Sequence, residues 1–366
     1  MSGPRILIAG GGTGGHIIPA LAVARELVER HGAEVLFVGT ARGMEQRLVP
    51  AAGFRLELIE VGPLNQVSWG TRLRSLMQIP MSLVACRRIL KEFGAQAVLG
   101  VGGYASGPGM GAAILGGVPT MAFEPNAVPG MANRIVGRWV QAGAVNFAPA
   151  AKWFRNAEVT GIPVREEFFQ LRAAEAGTAP HLLIFGGSQG ARILNTVIPP
   201  LVPALLEAVP GLTILHQAGA KMAERTQGAY AATGADPARW RVEAFLEGMA
   251  VEIGRASLVV ARSGASTVAE LCAAGKPALL VPFAAAADDH QRKNADVMVE
   301  AGAARLITES ELPPKDGGGA ELMLRTLLEL LGDAAELARM GELARALAKP
   351  EAAERIAARL VELAGR

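Results

Sequence analysis

This chain has few cysteines and a small net charge. Only two of its 366 residues are cysteine, Cys86 and Cys272, and they lie far apart in segments with helical spacing. Two isolated thiols favour a reducing compartment over a disulfide-bonded extracellular domain, so we expect a cytosolic protein. The formal net charge is +2, from 36 basic and 34 acidic residues. So small a basic excess does not predict binding to nucleic acid.

Several familiar catalytic motifs are also missing from the sequence. It contains no P-loop, no HExxH pair, no CxxC pair and no GxSxG elbow. Asp288 and Asp289 are adjacent, and therefore do not form the Asp-x-Asp pair that often holds a magnesium diphosphate. We accordingly expect neither a metal site nor a bound cofactor.

No segment has the composition of a signal peptide or of a membrane span. An apolar strand begins almost at once, without a preceding basic region, so we expect no signal peptide. The longest uncharged run, 93–123, contains nine glycines and two prolines. A single apolar helix cannot be drawn through it, and we predict strand, loop, helix and strand instead.

What the chain has is a long and regularly alternating apolar sequence. Apolar residues make up 51% of the composition, and 366 residues are enough for two domains with separate cores. Short apolar runs alternate with amphipathic or alanine-rich stretches, which is typical of βα units around a parallel sheet. We predict strands at 5–9, 35–39, 55–60, 97–101 and 119–123, and again at 181–185, 212–216, 258–261, 278–281 and 305–307.

A segment with glycine and proline at 160–165 separates the two halves. We therefore predict a first domain at 1–163 and a second domain at 164–349. The last segment, 350–366, has helical spacing, and we expect it to return and complete the first domain. A plain terminal helix of the second domain explains the same residues.

The most informative motif is GGGTGGH at 10–16, between an apolar run and a helical segment. Glycines that lead from a strand into a helix expose backbone N–H groups and the positive end of the helix dipole to an anionic ligand. The glycines of this motif also match the dinucleotide-binding fingerprint, which requires an acidic residue at the end of the second strand. The only acid of that strand, Glu34, is at its other end, so NAD binding is not predicted. A single glycine loop after a strand can be a simple tight turn. Glycine loops follow nearly every predicted strand here, and this recurrence favours ligand binding.

Polar residues follow one of the later strands in a pattern that suits a nucleotide. The segment 263–267, Ser-Gly-Ala-Ser-Thr, can present hydroxyl and N–H groups to a diphosphate at a helix N-terminus. Glu270, one turn later, can accept hydrogen bonds from a ribose diol. Compensation of the helix dipole is the alternative role for this carboxylate.

Seven stretches carry a specific resemblance: GGTGGH (11–16), GVGGYASGP (100–108), NAVPGMAN (126–133), GIPVR (161–165), GGSQGARILN (186–195), RSGASTVAEL (262–271) and HQRKNA (290–295). In this order they resemble the MurG family, within glycosyltransferase family 28. The resemblance implies an α/β GT-B fold, with two Rossmann-like, doubly wound parallel-sheet domains facing each other across a cleft, and no metal requirement. It also implies transfer of N-acetylglucosamine (GlcNAc) from UDP-GlcNAc to the N-acetylmuramic acid (MurNAc) of lipid I, giving lipid II of peptidoglycan synthesis. The first domain would take lipid I and the second UDP-GlcNAc.

The same resemblance implies substrate-binding roles for the residues at matching motif positions. They are Thr13, Gly14 and Gly15 (donor sugar and diphosphate), Asn126 (sugar), Arg165 and the Leu246 main chain (uracil), Ser188 (phosphate), Ala265, Ser266, Thr267 and Val268 (diphosphate and sugar), Glu270 (ribose) and Gln291 (sugar hydroxyls). Glu124 and His290 are expected among the substrate-binding residues, although the role of His290 is left open. Phe123 and Pro125 replace the His and Gln that the family commonly carries around this Glu, so any role of those two side chains is lost here.

The implied reaction needs a base for the acceptor's 4-hydroxyl and stabilisation of the departing diphosphate. His16 is the candidate base, because a free imidazole has a pKa near 6.5. Phosphate binding or orientation of the acceptor are alternatives for it. Two other functions stay open: a UDP-GlcNAc 2-epimerase on the same scaffold, and a non-catalytic protein that binds nucleotide sugars.

The segment 72–93 mixes apolar and basic residues, among them Ile79, Leu83, Arg87 and Arg88. An apolar patch flanked by cations suits an anionic leaflet, so a lipid acceptor implies peripheral binding here, on the cytoplasmic face of the membrane. Cell-wall synthesis proteins are further possible partners. The alternative is a pair of core-facing helical turns broken at Pro80.

Overall fold

The computed structural model describes residues 3–41, 43–61, 69–171, 179–312 and 318–365, with the side chains of 69–77 and 318 outside that description. The chain divides into two compact units. One consists of Met1–Val164 together with Lys349–Arg366, and the other of Arg165–Ala348.

The first unit is built on a parallel sheet of seven strands in the order β3-β2-β1-β4-β5-β6-β7. Its strands are β1 (Arg5–Ala9), β2 (Glu34–Gly39), β3 (Arg55–Leu58), β4 (Ala97–Gly100), β5 (Thr120–Glu124), β6 (Ala142–Val145) and β7 (Ala157–Val159). Its helices begin with α1 (Gly14–His31), α2 (Glu45–Ala51), α3 (Trp69–Phe93), α4 (Ser106–Leu115) and α5 (Met131–Val136), and a 3₁₀ turn spans Ala148–Trp153. Strands β1, β4 and β5 are buried on both faces, as expected for a sheet covered by helices on each side.

The second unit repeats the architecture with six parallel strands in the order β10-β9-β8-β11-β12-β13. The strands are β8 (His181–Phe185), β9 (Thr213–Gln217), β10 (Trp240–Glu243), β11 (Leu258–Ala261), β12 (Ala278–Leu280) and β13 (Ala304–Leu306). The helices are α6 (Glu166–Phe169), α7 (Arg192–Val197), α8 (Val202–Ala208), α9 (Ala223–Ala231), α10 (Met249–Arg255), α11 (Ala265–Ala274), α12 (His290–Glu300), α13 (Gly318–Leu331) and α14 (Ala334–Ala346). Short 3₁₀ turns lie at Pro199–Leu201, Pro237–Arg239, Ala287–Asp289 and Glu309–Glu311.

The last helix, α15 (Ala352–Ala364), belongs to the first unit, where it packs on α1 and against β4. Its buried side chains recur at helical spacing and include Ile356, Leu360 and Leu363. Arg355 adds polar contacts to β7, with an ion pair to Glu158 and a hydrogen bond to the Val159 carbonyl. The first unit is therefore assembled from both ends of the chain.

Both sheets reverse their strand order at one point, between β1 and β4 in the first unit and between β8 and β11 in the second. Parallel sheets bind ligands at such switch points, outside the carboxyl ends of the strands. The loops after these four strands are 10–13, 101–105, 186–191 and 262–264. These are four of the glycine-containing loops that the sequence singled out.

Helix α3 runs without interruption from Trp69 to Phe93, so the break predicted as one alternative at Pro80 does not occur. The Ser82 hydroxyl lies 2.8 Å from the Gln78 carbonyl and 2.7 Å from the Glu60 carbonyl, next to the position where proline removes a backbone donor. Among the described helices, none is both long enough and apolar enough to cross a bilayer.

Candidate active site

The first glycine loop turns directly from β1 into α1. Gly10, Gly11 and Gly12 all have positive φ, a conformation that residues with a Cβ rarely adopt. Thr13 then takes an extended conformation as the N-cap, and no side chain caps the helix there. The first N–H groups of α1 are therefore not occupied by a capping side chain, which is the arrangement that binds anions at helix N-termini.

The loop after β4 packs against the first loop, backbone to backbone. Gly11 N–H donates to the Gly102 carbonyl at 3.1 Å, and a Cβ on Gly103 would overlap the Gly11 carbonyl. The half-buried His16 imidazole lies in the same place, since a Cβ on Gly102 would come within 2.9 Å of its Cε1 atom. The two loops thus hold the candidate base where they meet.

A carboxylate that the sequence analysis did not consider supports the first loop. Glu45, the first residue of α2, is 1% exposed. Its Oε2 atom accepts from Gly12 N–H at 2.7 Å, and Oε1 accepts from the N–H of Thr40 at 2.9 Å. Glu45 lies beyond the end of β2, five residues after Thr40, and its side chain folds back to the end of that strand.

The loop after β5 is organised by Glu124, whose carboxylate is 1% exposed. It accepts from the N–H groups of Asn126 at 2.9 Å and Gly130 at 3.0 Å, and from Asn133 Nδ2 at 2.9 Å. Burial raises the pKa of this carboxyl, and these hydrogen bonds oppose the shift. The carboxylate is thus occupied within its own loop, while Asn126 beside it is only half-buried.

In the second unit, α11 begins directly after the loop that follows β11. Gly264 is its N-cap and no side chain caps it, so the first N–H groups again lack a capping partner. Ala265 and Val268 turn into the core, whereas Ser266 and Thr267 are half-buried. A ligand can therefore contact the main chain of 265–268 and the hydroxyl groups of Ser266 and Thr267.

Glu270 lies one turn into α11, and burial raises the pKa of its carboxyl to about 7. The positive charge of Arg165 opposes this shift, and the negative charge of Glu167 adds to it. Arg165 itself is exposed, pairs with Glu167 at 2.7 Å and lies over the Phe168 ring. The structure thus places the predicted ribose and uracil residues in one electrostatic neighbourhood.

The loop before α12 has unusual backbone geometry. Asp288 and Asp289 both have positive φ, at 53° and 55°. The Gln291 side-chain oxygen accepts from Phe283 N–H at 3.0 Å, and its carbonyl accepts from the Ser263 hydroxyl at 2.8 Å. Gln291 therefore ties this loop to the start of α11.

The remaining predicted residues differ in exposure. Ser188 is exposed in the glycine loop after β8, and the Leu246 side chain is buried, which leaves only its main chain for a ligand. His290 is half-buried and its Nδ1 atom lies 2.8 Å from the Ala287 carbonyl. Within the described ranges, no group of three His, Cys, Asp or Glu side chains is arranged to hold a metal ion.

Comparison with known proteins places this architecture in a family. Residues 6–145 match the glycosyltransferase family 28 N-terminal domain, and residues 181–356 match the family's C-terminal domain. A UDP-N-acetylglucosamine--N-acetylmuramyl-(pentapeptide) pyrophosphoryl-undecaprenol N-acetylglucosamine transferase of Solibacter usitatus is 45% identical over 98% of this chain and 96% of its own. The chain belongs to the MurG family. The enzyme of the same name from Anaeromyxobacter sp. strain K is 42% identical over 99% of this chain and 94% of its own.

Solved structures confirm the GT-B fold expected for the MurG family. The crystal structure of Acinetobacter baumannii MurG has a TM-score of 0.81 and 32% identity, covering 98% of this chain and 99% of its own. A putative UDP-N-acetylglucosamine 2-epimerase from Listeria monocytogenes has a TM-score of 0.68 at 14% identity, covering 97% of this chain and 95% of its own. That more distant likeness shows a shared fold alone.

Proposed function

We propose that this protein transfers GlcNAc from UDP-GlcNAc to the 4-hydroxyl of the MurNAc of lipid I, with inversion at the anomeric carbon. The observation that carries the proposal is the 45% identity, over nearly the whole of both chains, with a transferase named for this reaction. The glycine loops, His16 and Glu270 supply the chemistry that such a transfer needs.

The second unit binds the donor in this proposal. Glu270 in its ionised form accepts hydrogen bonds from the ribose diol, because a neutral diol needs acceptors. The exposed Arg165 and the Leu246 main chain contact the uracil, and Ser188 a phosphate oxygen. Gln291 binds sugar hydroxyls, and Asn126 has a sugar-binding role by the family resemblance.

The uncapped N-terminus of α11 stabilises the departing UDP. Its first N–H groups and the hydroxyls of Ser266 and Thr267 are donors for phosphate oxygens, and they add to the positive end of the helix dipole. Preorganised donors of this kind replace the charge that a metal would supply. We propose on that basis that transfer is metal-independent, as the family resemblance implies.

The first unit takes lipid I, and His16 removes the proton of the 4-hydroxyl as this oxygen attacks the donor's anomeric carbon. The imidazole is held between two glycine loops, beside the N–H groups of Thr13, Gly14 and Gly15. Those N–H groups suit the diphosphate or sugar oxygens of a substrate.

Peripheral binding at the cytoplasmic face of the membrane follows from a lipid acceptor, and α3 is the element we assign to it. Met81 and Val84 on this helix are each 71% exposed, and Arg87 and Arg88 follow them on the exposed surface. Leu83, in contrast, packs on the core of the first unit. The predicted segment 72–93 also contains Arg72, Leu73, Arg74, Leu76 and Met77, whose side chains lie outside the described residues.

The decisive experiment is incubation with UDP-GlcNAc and a water-soluble lipid I analogue, followed by mass analysis of the products. We expect the GlcNAc–MurNAc disaccharide and UDP, in equal amounts and with EDTA present. UDP-GlcNAc alone separates the alternatives: an epimerase converts it to its 2-epimer, whereas a non-catalytic binding protein leaves it unchanged with or without acceptor. Loss of activity in EDTA that added metal restores would contradict metal independence alone.

A further inference from the structure

The contacts of Glu45 single it out among the buried charged residues. Its carboxylate accepts three hydrogen bonds, from Gly12 N–H at 2.7 Å, Thr40 N–H at 2.9 Å and the Thr40 hydroxyl at 3.0 Å. The residue is 1% exposed, so water does not compete for these oxygens. A buried carboxylate with several N–H donors is a strong and directional anchor.

The chain around this carboxylate is shaped to admit it. A Cβ added to Gly11, Gly39 or Gly43 would overlap the Glu45 side chain. These three glycines come from the first loop, the end of β2 and the turn before α2. Three separate backbone segments thus close on one carboxylate.

The hydrogen bonds of the first loop divide its N–H groups into two sets. Gly10 N–H donates to the Val38 carbonyl at 3.0 Å, Gly11 N–H to the Gly102 carbonyl, and Gly12 N–H to Glu45. These three donors are used within the protein and are not available to a substrate. Glu45 therefore binds the last of these donors before Thr13, Gly14 and Gly15, whose N–H groups form the second set. The N–H group of His16 already donates to the Thr13 carbonyl at 3.1 Å.

We propose that Glu45 is a positioning residue, which holds the first glycine loop in the shape that presents His16 to the acceptor hydroxyl and the N–H groups of Thr13, Gly14 and Gly15 to substrate oxygens. This inference rests on the proposed transferase function for its catalytic consequence, but not for its structural one. Glu45 takes no part in proton transfer, because its oxygens are buried and bonded to main chain and to Thr40.

Glu45→Gln tests the proposal with little change in volume. Its single carbonyl oxygen can satisfy the two Thr40 donors, which leaves the amide NH₂ facing Gly12 N–H across a 2.7 Å contact. Two donors cannot stay at that distance, so the loop must move. Displacement of a reacting group by about 1 Å can lower turnover on the order of 100-fold.

We therefore expect kcat with the lipid I analogue to fall at least 10-fold in Glu45→Gln. The pH dependence of the residual activity should keep its shape, since the titrating base is unchanged. Glu45→Asp keeps a carboxylate on a shorter side chain and should give an intermediate kcat. If Glu45→Gln does not fold, Glu45→Asp replaces it in each of these measurements.

Hydrogen exchange at Gly12, followed by NMR on the protein without substrate, gives a readout that needs no activity. It should accelerate at least 10-fold in Glu45→Gln. Lys276→Met is the matched control, because Lys276 is 3% exposed and donates to the Gly254 and Ala256 carbonyls of the second unit. This variant should be destabilised as well, yet keep the wild-type kcat and the slow Gly12 exchange.

Wild-type exchange at Gly12 together with wild-type kcat in Glu45→Gln would overturn the proposal. So would an equal fall of kcat in Lys276→Met, because the effect would then follow general stability. If the wild-type protein itself forms no disaccharide, the proposed function fails, and Gly12 exchange alone decides whether Glu45 holds the loop.

Discussion

His16 is the residue on which the proposed chemistry depends most. Its position between two glycine loops restricts the imidazole, and a base must be held within hydrogen-bond reach of the proton it removes. We expect His16→Ala to lower kcat by about 100-fold or more, the usual scale for loss of a general base. UDP affinity, measured by calorimetry, should stay within twofold of wild type, because the proposed UDP site lies in the second unit. Wild-type turnover in this variant would remove His16 from the mechanism.

The proposed role of Glu270 in donor binding predicts that UDP affinity depends on pH. Burial raises the pKa of its carboxyl to about 7, so the free protein loses the ionised acceptor as the pH falls through neutrality. UDP affinity should therefore decrease between pH 8 and pH 6, and calorimetry at both values measures it. Glu270→Ala should lose about 1.5–3 kcal/mol of binding free energy at pH 8, as expected for hydrogen bonds to a charged group. Unchanged affinity would leave only the helix-dipole role.

Stability distinguishes the two roles of Glu270 independently of the ligand. With a folded-state pKa raised from 4.5 to about 7, the folded protein binds more protons than the unfolded one between these values. The contribution of the protonated Glu270 carboxyl to the free energy of unfolding is complete below pH 4.5. It is lost as the pH rises through 7. Glu270→Gln has no such titration, so its melting temperature relative to wild type should rise from pH 5 to pH 8. A favourable dipole interaction of the ionised form would give the opposite trend.

At the scale of single elements, α3 shows which of its apolar side chains face solvent. Met81 and Val84 are 71% exposed, whereas Leu83 lies against the core, where a Cβ on Gly111 would come within 3.1 Å of its Cδ2 atom. The mixed composition of 72–93, which contains Ile79, Leu83 and Val84, had put this segment forward as a membrane contact. Exposure favours Met81 and Val84 within it, and Leu83 becomes the core control.

We expect Met81→Ser with Val84→Ser to weaken binding to vesicles that contain anionic lipid, measured by cosedimentation. Its melting temperature and its turnover of a water-soluble acceptor should match the wild type, because both side chains are already exposed. Leu83→Ser should do the reverse and lower stability, through loss of buried apolar contacts. Unchanged vesicle binding in the double variant would exclude this part of α3 as a membrane contact.

The strands that the sequence predicted are those with long apolar runs. Strands β1, β8 and β11 match the predicted bounds, and seven others are displaced by one or two residues at an end. Three strands were not predicted. Strands β7 and β10 lie at sheet edges with half-buried, mixed sequences, and β6 is Ala-Gly-Ala-Val, whose small side chains carry little β-propensity. Their place is decided by pairing with a neighbouring strand, which local patterns do not reveal.

The candidate site shows the same division between local and distant information. The glycine loops could be predicted because strand, turn and helix signals are adjacent in sequence. Glu45 could not, since its bond to Gly12 joins residues 33 positions apart and depends on how α2 returns beneath the loop. Glu124 was expected to contact substrate, but the sequence did not show that its own loop and α5 supply four donors to it.

At the scale of the whole molecule, the first unit is discontinuous in sequence, because α15 returns to it from the far end of the chain. Separate cores predict that the units respond separately to core substitutions. Leu360 of α15 and Leu205 of α8 form a matched pair, since both are 0% exposed leucines on helices. Each Leu→Ala change should cost about 2–5 kcal/mol in the unit that contains it.

Calorimetric scans with and without UDP then show which unit binds the donor. A ligand at 100 times its Kd stabilises the state that binds it by about 2.7 kcal/mol. We expect UDP to raise the temperature of the unfolding transition that Leu205→Ala lowers. The temperature of the transition that Leu360→Ala lowers should stay nearly unchanged. The reverse pattern would place the donor on the first unit. A single transition that both variants lower equally would show that the units unfold together, and the UDP shift would then carry no assignment to either of them.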